Sequence, residues 1–135
     1  MLILTILTQT LCVWCNEIKY KSNKCTLTYK KIDEYSVEVS KQNESLRQEK
    51  VYIPNEIKDA DTTYYVVGIA DNAFSGNKHI KKVTFNDACD IKYIGEGAFA
   101  GCENLTEIVL PSTITEIKPY TFAWCGIKNI EIHGF

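Results

Sequence analysis

Residues 94–111 read IGEGAFAGCENLTEIVLP, and this pattern decides the fold because the chain contains it three times. The stretch IADNAFSGNKHIKKVTF at residues 69–85 keeps the same frame, and IKPYTFAWCGIKNIEI at residues 117–132 keeps it again. Self-similarity at a period of roughly 20 to 50 residues is the mark of repeat architectures. The sequence therefore predicts a stack of similar units.

The apolar positions set the register of the units. Phe74, Phe99 and Phe122 are separated by 25 and 23 residues. A second apolar set follows each of them with an internal spacing of plus three, plus two: Ile80, Val83 and Phe85; Leu105, Ile108 and Leu110; Ile127, Ile130 and Ile132. An earlier, partial copy, VYIPNEI at residues 51–57, is joined to the first full copy by the insertion DADTTYYVV.

Length and composition fit one modest domain. The chain has 135 residues, of which 45% are hydrophobic, enough for a core. Fifteen basic and seventeen acidic residues give a net charge of -2, and no basic block favours nucleic acid as a partner. No apolar run reaches the roughly 20 residues of a membrane-spanning helix.

The first fifteen residues, MLILTILTQTLCVWC, carry no charge. Their apolar run is shorter than a membrane span and is typical of the central region of a secretory signal, although a basic start is missing. We predict that residues 1–15 are a signal peptide and that the mature chain begins near Asn16. The alternative is a buried first strand or helix that caps the domain.

Between the signal and the repeats, residues 26–41 change to a period of two. Leu27 and Tyr29, then Tyr35, Val37 and Val39, alternate with polar residues around KKIDE, which predicts an antiparallel strand pair. A repeat array needs a cover for its exposed apolar end. We therefore predict an N-terminal β cap over residues 16–50 and a repeat array over residues 51–135.

The pattern of each repeat predicts one strand and one compact segment that leads back to the next strand, here called the return. In Ile108-Val109-Leu110 the outer residues point inward and Val109 outward, and stacked copies form a parallel sheet. The return after the strand carries Asp71, Glu96 or Pro119 at one position, which favours a single helical turn.

Glycine follows the phenylalanine of the first two full copies by two residues, as Gly76 and Gly101. A turn can use a positive φ there at low cost. Trp124 replaces glycine in the third copy, which is also one residue shorter, and we expect Gly126 to absorb the change.

The combination IGxxAFxxCxxLxxIxLP, as it stands from Ile94 to Pro111, resembles the BspA-like branch of leucine-rich-repeat proteins, and TTYYVVGIADNAFSG resembles the usual entry into that family's first full repeat. The resemblance covers roughly residues 25–135. It implies a right-handed leucine-rich-repeat superhelix with a parallel β-sheet and short helical turns, capped N-terminally by a β-hairpin. It also implies a secreted or cell-surface protein. Several members of the family act as adhesins.

The sequence offers little for catalysis or metal binding. Zinc motifs need a second ligand pair beside Cys12 and Cys15, and no such pair is present. Cys102 and Cys125 occupy one repeat position, so the scaffold explains both. We expect them to lie on neighbouring repeats as free thiols. We predict no catalytic residue, no metal ligand and no small-molecule cofactor.

Asn43 and Asn104 match the glycosylation pattern, which matters only in a eukaryotic secretory route.

The outward residues of the predicted strands are the candidate binding surface. They form two columns: Lys50, Lys82, Glu107 and Asn129; Tyr52, Thr84, Val109 and Glu131. This mixture suits a protein ligand better than a polyanion. The family resemblance implies that the ligand is a host, matrix or cell-surface protein. The bland alternative is an ordinary solvated face.

Three functions are compatible with these patterns. The first is a non-catalytic surface or secreted recognition module, an adhesin. The second is a module that positions a catalytic domain lying elsewhere in a larger secreted enzyme. The third is an intracellular scaffold, which requires that residues 1–15 are part of the fold.

Overall fold

The computed structural model describes residues 16–22, 24–43 and 46–133, and its regular secondary structure there is β-strand. The strands in this part of the chain are β1 (Glu17–Lys21), β2 (Thr26–Lys31), β3 (Ser36–Val39), β4 (Lys50–Ile53), β5 (Glu56–Asp59), β6 (Thr62–Ile69), β7 (Lys82–Phe85), β8 (Tyr93–Ile94), β9 (Glu107–Pro111), β10 (Glu116–Ile117) and β11 (Asn129–His133). The predicted signal segment, residues 1–15, lies outside the described residues. Within the described residues, no helix has the length and hydropathy needed to span a membrane.

One strand from each repeat joins a four-stranded sheet in the order β11-β9-β7-β4, here called the array sheet. All its neighbours run parallel, as the repeat predicted. The inward residues Val51, Ile53, Val83, Ile108 and Leu110 are buried, because side chains alternate between the two faces of a strand.

The last strand departs from the predicted continuous core. Ile130 and Ile132 hold inward positions on β11, yet they are 47% and 49% exposed. Within the described residues β11 is the outermost strand of the array sheet and pairs on one side only, with β9. Two of the predicted core residues are therefore only half covered.

The second sheet, here called the mixed sheet, follows the order β1-β2-β3-β6-β8-β10, with β5 also paired to β6. The strand pair predicted over residues 26–41 is present as antiparallel β2 and β3, and β1 adds a third antiparallel strand that the pattern did not predict. Strands β3, β6, β8 and β10 run parallel. The insertion before the first full repeat is the antiparallel pair β5–β6, closed by Ala60 at a φ of 51°.

The prediction of a helical turn is wrong, because successive overlapping β-turns replace it. In each copy this segment has two residues with positive φ: Asn72 and Gly76; Gly97 and Gly101; Tyr120 and Trp124. A left-handed residue interrupts a helix. Alternate N–H groups consequently point to the next repeat, where Phe74 N–H donates to the Ala98 carbonyl at 2.7 Å and Phe99 N–H donates to the Thr121 carbonyl at 2.9 Å.

The aspartate at the start of this return has a different partner from the one that the helix prediction implied. The Asp71 carboxylate accepts a hydrogen bond at 2.7 Å from the backbone N–H of Glu96, which holds the same position in the following repeat. The acidic side chain thus joins two repeats and does not cap a helix.

The positive φ that glycine supplies in the first two full copies does not move to Gly126. Trp124 itself adopts the left-handed conformation, with a φ of 55° and a side chain that is 79% exposed. The backbone at Gly126 lies close to that of Glu103, and a Cβ at Gly126 would overlap the Glu103 carbonyl oxygen. The absence of a side chain at Gly126 therefore lets two backbone segments lie close together.

Phenylalanine rings form a stack through the array. The rings of Phe74 and Phe99 have centroids 5.1 Å apart and an interplanar angle of 3°, and those of Phe99 and Phe122 lie 5.7 Å apart at 9°. Phe99 is fully buried between its two neighbours. The core is continuous from Ile18 on β1 to Leu110 on β9, so the N-terminal strands and the repeats share one hydrophobic interior.

Candidate functional site

The register of the array sheet aligns the first predicted column. Lys50 on β4 pairs with Lys82 on β7, Lys82 pairs with Glu107 on β9, and Glu107 pairs with Asn129 on β11. Direct cross-strand neighbours have Cβ atoms about 5 Å apart. These four side chains, predicted separately from sequence, form one row across the sheet.

The second column is aligned in two halves. Tyr52 pairs with Thr84, and Val109 pairs with Glu131. Strands β4 and β7 pair over four positions, whereas β7 and β9 pair over two, ending at Val83 and Ile108. The two halves of this column thus meet where the described pairing of β7 and β9 stops.

A groove lies at this point, lined by Lys82, Thr84, Phe85, Asn86, Val109 and Pro111, with a volume of about 350 Å³. We call it the loop groove, because Asn86, Asp87 and Cys89 of the connection from β7 to β8 line it. That connection makes the interval from Phe85 to Ile94 two residues longer than the interval from Leu110 to Ile117. Sequence reasoning missed the groove, although the unequal repeat lengths of 25 and 23 residues were its visible signal.

The longer connection is locally ordered. The Asn86 side-chain oxygen accepts a hydrogen bond from Ala88 N–H at 2.8 Å, and Cys89 N–H donates to the Asn86 carbonyl at 3.0 Å. Cys89 is buried, and burial raises the pKa of its thiol. The loop wall of the groove is thus pinned by a polar turn and one apolar anchor.

Tyr52 is held on both sides by residues that sequence reasoning did not single out. The Asn86 side-chain amide donates to the Tyr52 hydroxyl at 2.6 Å, and Lys24 Nζ lies 3.9 Å from the centre of the Tyr52 ring. A fixed aromatic side chain loses little rotamer entropy when it contacts a partner. Tyr52 is therefore a preorganised part of the face, and Lys24 and Asn86 extend it.

Charges on the face are matched between repeats. Lys82 Nζ lies 3.0 Å from a Glu107 carboxylate oxygen across the strand pair. Just before the strands, Lys81 Nζ lies 2.7 Å from Glu49, and this bond lowers the pKa of the Glu49 carboxyl. Exposed pairs of this kind add little stability. These pairs place positive and negative charges next to each other on the surface that a partner would contact.

Thiols in the array are structural. Cys102 Sγ donates to the Phe74 carbonyl at 3.1 Å and Cys125 Sγ to the Phe99 carbonyl at 2.9 Å, and the structure has both as free thiols. Cys102 is fully buried and Cys125 is half-buried. Burial raises the pKa of Cys102 to about 12. A protonated, enclosed thiol is a poor nucleophile.

Within residues 16–22, 24–43 and 46–133, no three His, Cys, Asp or Glu side chains converge as a metal site would require. The acidic residues considered from sequence lie apart or in pairs with lysine: Asp71 Oδ1 lies 3.7 Å from Lys118 Nζ.

A model of the BspA-type leucine-rich-repeat region matches residues 29–134 with six copies. The chain belongs to the BspA-type leucine-rich-repeat family. The six copies exceed the one partial and three full copies counted from sequence, and the match begins within β2. Repeat proteins of this family are typically non-catalytic. Among curated proteins, none matches the chain.

Solved structures agree with the family assignment. A leucine-rich-repeat protein from Bacteroides ovatus is 30% identical with a TM-score of 0.71, covering 84% of this chain and 29% of that protein. One from Bacteroides capillosus, at 19% identity and a TM-score of 0.56, covers 88% of this chain and 99% of that one. A leucine-rich cell-surface protein from Faecalibacterium prausnitzii, at 18% and 0.54, covers 84% and 26%. The chain thus spans under a third of the first and last of these leucine-rich-repeat proteins.

Proposed function

We propose that this protein is a non-catalytic, secreted or cell-surface recognition module, an adhesin that binds a host, matrix or cell-surface protein through the outward face of the array sheet. The observation that carries the proposal is the alignment of Lys50, Lys82, Glu107 and Asn129 in one row beside the loop groove. Repeat proteins use such regularly repeated faces as extended binding surfaces.

The chemistry of the face favours a protein ligand. Protein interfaces combine an apolar or aromatic centre with a polar rim that sets specificity. Val109, Phe85 and Pro111 supply apolar surface in the loop groove, and Tyr52 stands beside it. The paired charges of Lys82 and Glu107 supply a polar border of both signs. A polyanion would instead need a border of one sign.

The four strands alone are too narrow for a standard protein interface, so the loop groove must also contact the ligand. Four strands about 4.8 Å apart span roughly 14 Å, which is narrow for the approximately 800 Å² that each partner buries in a standard interface. We propose that the ligand covers both columns and the loop groove, with Tyr52 as the fixed aromatic anchor.

Architecture and export belong to the same proposal. Residues 51–135 form a right-handed superhelical array, residues 16–50 cap it through β1, β2 and β3, and residues 1–15 direct export. The support for a cap is that Ile18, Leu27 and Tyr29 belong to the same core cluster as the first repeat. The support for surface location is the resemblance to a protein described as a leucine-rich cell-surface protein.

The test is a triple variant, Tyr52→Ala with Lys82→Gln and Val109→Ala, and its matched control is Tyr65→Ala with Lys58→Gln and Val67→Ala on the mixed sheet. Circular dichroism and urea unfolding establish that both variants fold. Binding to immobilised matrix proteins and to host cells should fall in the first variant and persist in the control. Undiminished binding by the folded first variant would assign recognition to another surface.

A further inference from the structure

A second groove, at the N-terminal end of the molecule, differs in chemistry from the array face. It has a volume of about 670 Å³ and is lined on one side by Lys19 and Lys21 of β1 with Thr26 and Thr28 of β2, and on the other by Arg47. We call it the basic groove. The register pairs Lys19 with Thr28 and Lys21 with Thr26. Alternate strand residues share a face, so the two lysines project together, about 7 Å apart along β1.

The cations of this groove lack the carboxylate partners that lysines have elsewhere. Six other lysines, from Lys31 to Lys118, lie within 4 Å of an Asp or Glu oxygen. In the described part of the chain, neither Lys19, Lys21 nor Arg47 has such a partner, and no carboxylate side chain is among the lining residues described. The positive charges of these three described side chains are therefore available to an anionic ligand.

The distribution of charge along the chain strengthens this contrast. Residues 16–50 contain eight basic and six acidic residues, a net charge of +2, whereas residues 51–135 contain seven basic and eleven acidic residues, a net charge of -4. An asymmetry of this size points to partners of different charge for the two ends of the molecule. The acidic array would also orient an approaching anion toward the basic end.

One wall of the groove is rigid. The Gln42 side chain accepts a hydrogen bond from Thr28 N–H at 3.0 Å and donates to the Thr28 carbonyl at 2.9 Å, and its backbone N–H donates to the Ala73 carbonyl at 2.8 Å. Gln42 thus extends the β2 backbone pairing with its own amide. The Thr28 position is therefore fixed, and threonine hydroxyls can donate to a ligand that accepts hydrogen bonds.

The lining also discriminates between classes of anion. Its one apolar side chain, Leu46, is buried, and no aromatic ring lines the groove among the residues described. Protein interfaces typically contain a buried aromatic or aliphatic anchor, and single-stranded nucleic acid typically stacks its bases on aromatic rings. Charges, hydroxyls and amides suit a hydroxyl-rich chain that carries sulfate or carboxylate groups at intervals.

We propose that the basic groove binds an acidic glycan, whose sulfate or carboxylate groups contact Lys19, Lys21 and Arg47. The site is separate from the array face, since it uses β1, β2 and the segment before β4. A glycan bound there and a protein bound on the array sheet would engage different parts of the molecule.

The experiment measures the binding of a heparin oligosaccharide by calorimetry to the whole chain, to Lys19→Gln with Lys21→Gln, and to the control Lys58→Gln with Lys128→Gln. Both double variants remove two exposed lysines that have no carboxylate partner, so their net charges are equal. We expect affinity to fall about fivefold in the first variant and to stay within about twofold in the control, and to weaken further with added salt. Arg47→Gln should show a loss of the same sign.

A hyaluronan oligosaccharide and poly-glutamate, tested in parallel, identify the ligand class. Binding of heparin, or of hyaluronan, that depends on Lys19 and Lys21 supports the proposal and tells whether sulfate or carboxylate is preferred. Equal losses in the two double variants would refute it, because attraction would then be diffuse. Tighter binding of poly-glutamate than of either glycan would also refute it and would indicate an acidic protein partner.

Discussion

Replacing Phe99 with alanine tests whether the ring stack holds the array together. Phe99 is fully buried and its ring faces two others, Phe74 at 5.1 Å and Phe122 at 5.7 Å. Truncation of a buried phenylalanine costs about 3–5 kcal/mol, and each aromatic pair contributes about 0.5–1.5 kcal/mol beyond area burial. Because the substitution removes the central ring and therefore both stacked pairs, we expect the free energy of unfolding to fall by about 4–5 kcal/mol.

Two further variants test whether the loss of stability in Phe99→Ala comes from the ring stack. Phe122 is half-buried and has one ring neighbour, so Phe122→Ala should cost about 2 kcal/mol. Phe99→Leu keeps most of the volume and should cost about 1 kcal/mol. Because a domain of this size has a total of about 5–15 kcal/mol, Phe99→Ala should still fold at low temperature and unfold at far lower urea.

Urea unfolding followed by far-UV circular dichroism measures all three changes. The slope of free energy against urea should remain that of the parent chain, because the same surface is exposed on unfolding. If Phe122→Ala cost as much as Phe99→Ala, the stack would not be the element that joins the repeats. A reduced slope in Phe99→Ala would mean that the repeats unfold separately in the variant.

Three other predictions concern Gly126, Cys102 and the N-terminus of the native protein. Gly126→Ala should cost about 1–3 kcal/mol in urea unfolding because its Cβ meets the Glu103 carbonyl, and an unchanged midpoint would show that the close approach is dispensable. From about pH 9 to 12 the Cys102 thiol ionises in the unfolded chain but not in the folded one, so stability should fall by about 1.4 kcal/mol per pH unit from this group. Cys102→Ala should have a shallower alkaline slope, and equal slopes would contradict the assignment. N-terminal sequencing of native protein should begin near Asn16, and a chain that retains Met1 would rule out cleavage of residues 1–15.

The array sheet could be predicted from sequence because its signal is repeated. Single apolar pairs such as Ile108 and Leu110 are ambiguous, but the same spacing in several copies fixes strand, face and register together. The rows of the candidate face follow from that register without further information. β1 lacked such support, since residues 17–21 occur once and contain only two large apolar side chains, Ile18 and Tyr20.

The returns could not be predicted because the decisive variable is a backbone angle. Acidic residues or proline at the start of the return suit a helix and a β-turn equally. The left-handed positions carry asparagine, glycine or tyrosine in one column and glycine or tryptophan in the other. Tyr120 and Trp124 are residue types that rarely adopt positive φ, so their sequence hides the turn that the hydrogen bonds between repeats impose.

Contacts between repeats explain why function should lie on the outward face. Side chains at inward positions donate to backbone carbonyls of the preceding repeat: Cys102 to Phe74, Cys125 to Phe99, and Thr121 to Gly95 at 3.1 Å. Such bonds need a donor of the right size at that position, and they leave little freedom for change. Within the described residues, the outward side chains of the array strands make no bond of this kind to a preceding repeat. Chemistry that distinguishes one repeat from the next, such as the two extra residues beside the loop groove, therefore accumulates where a ligand can reach it.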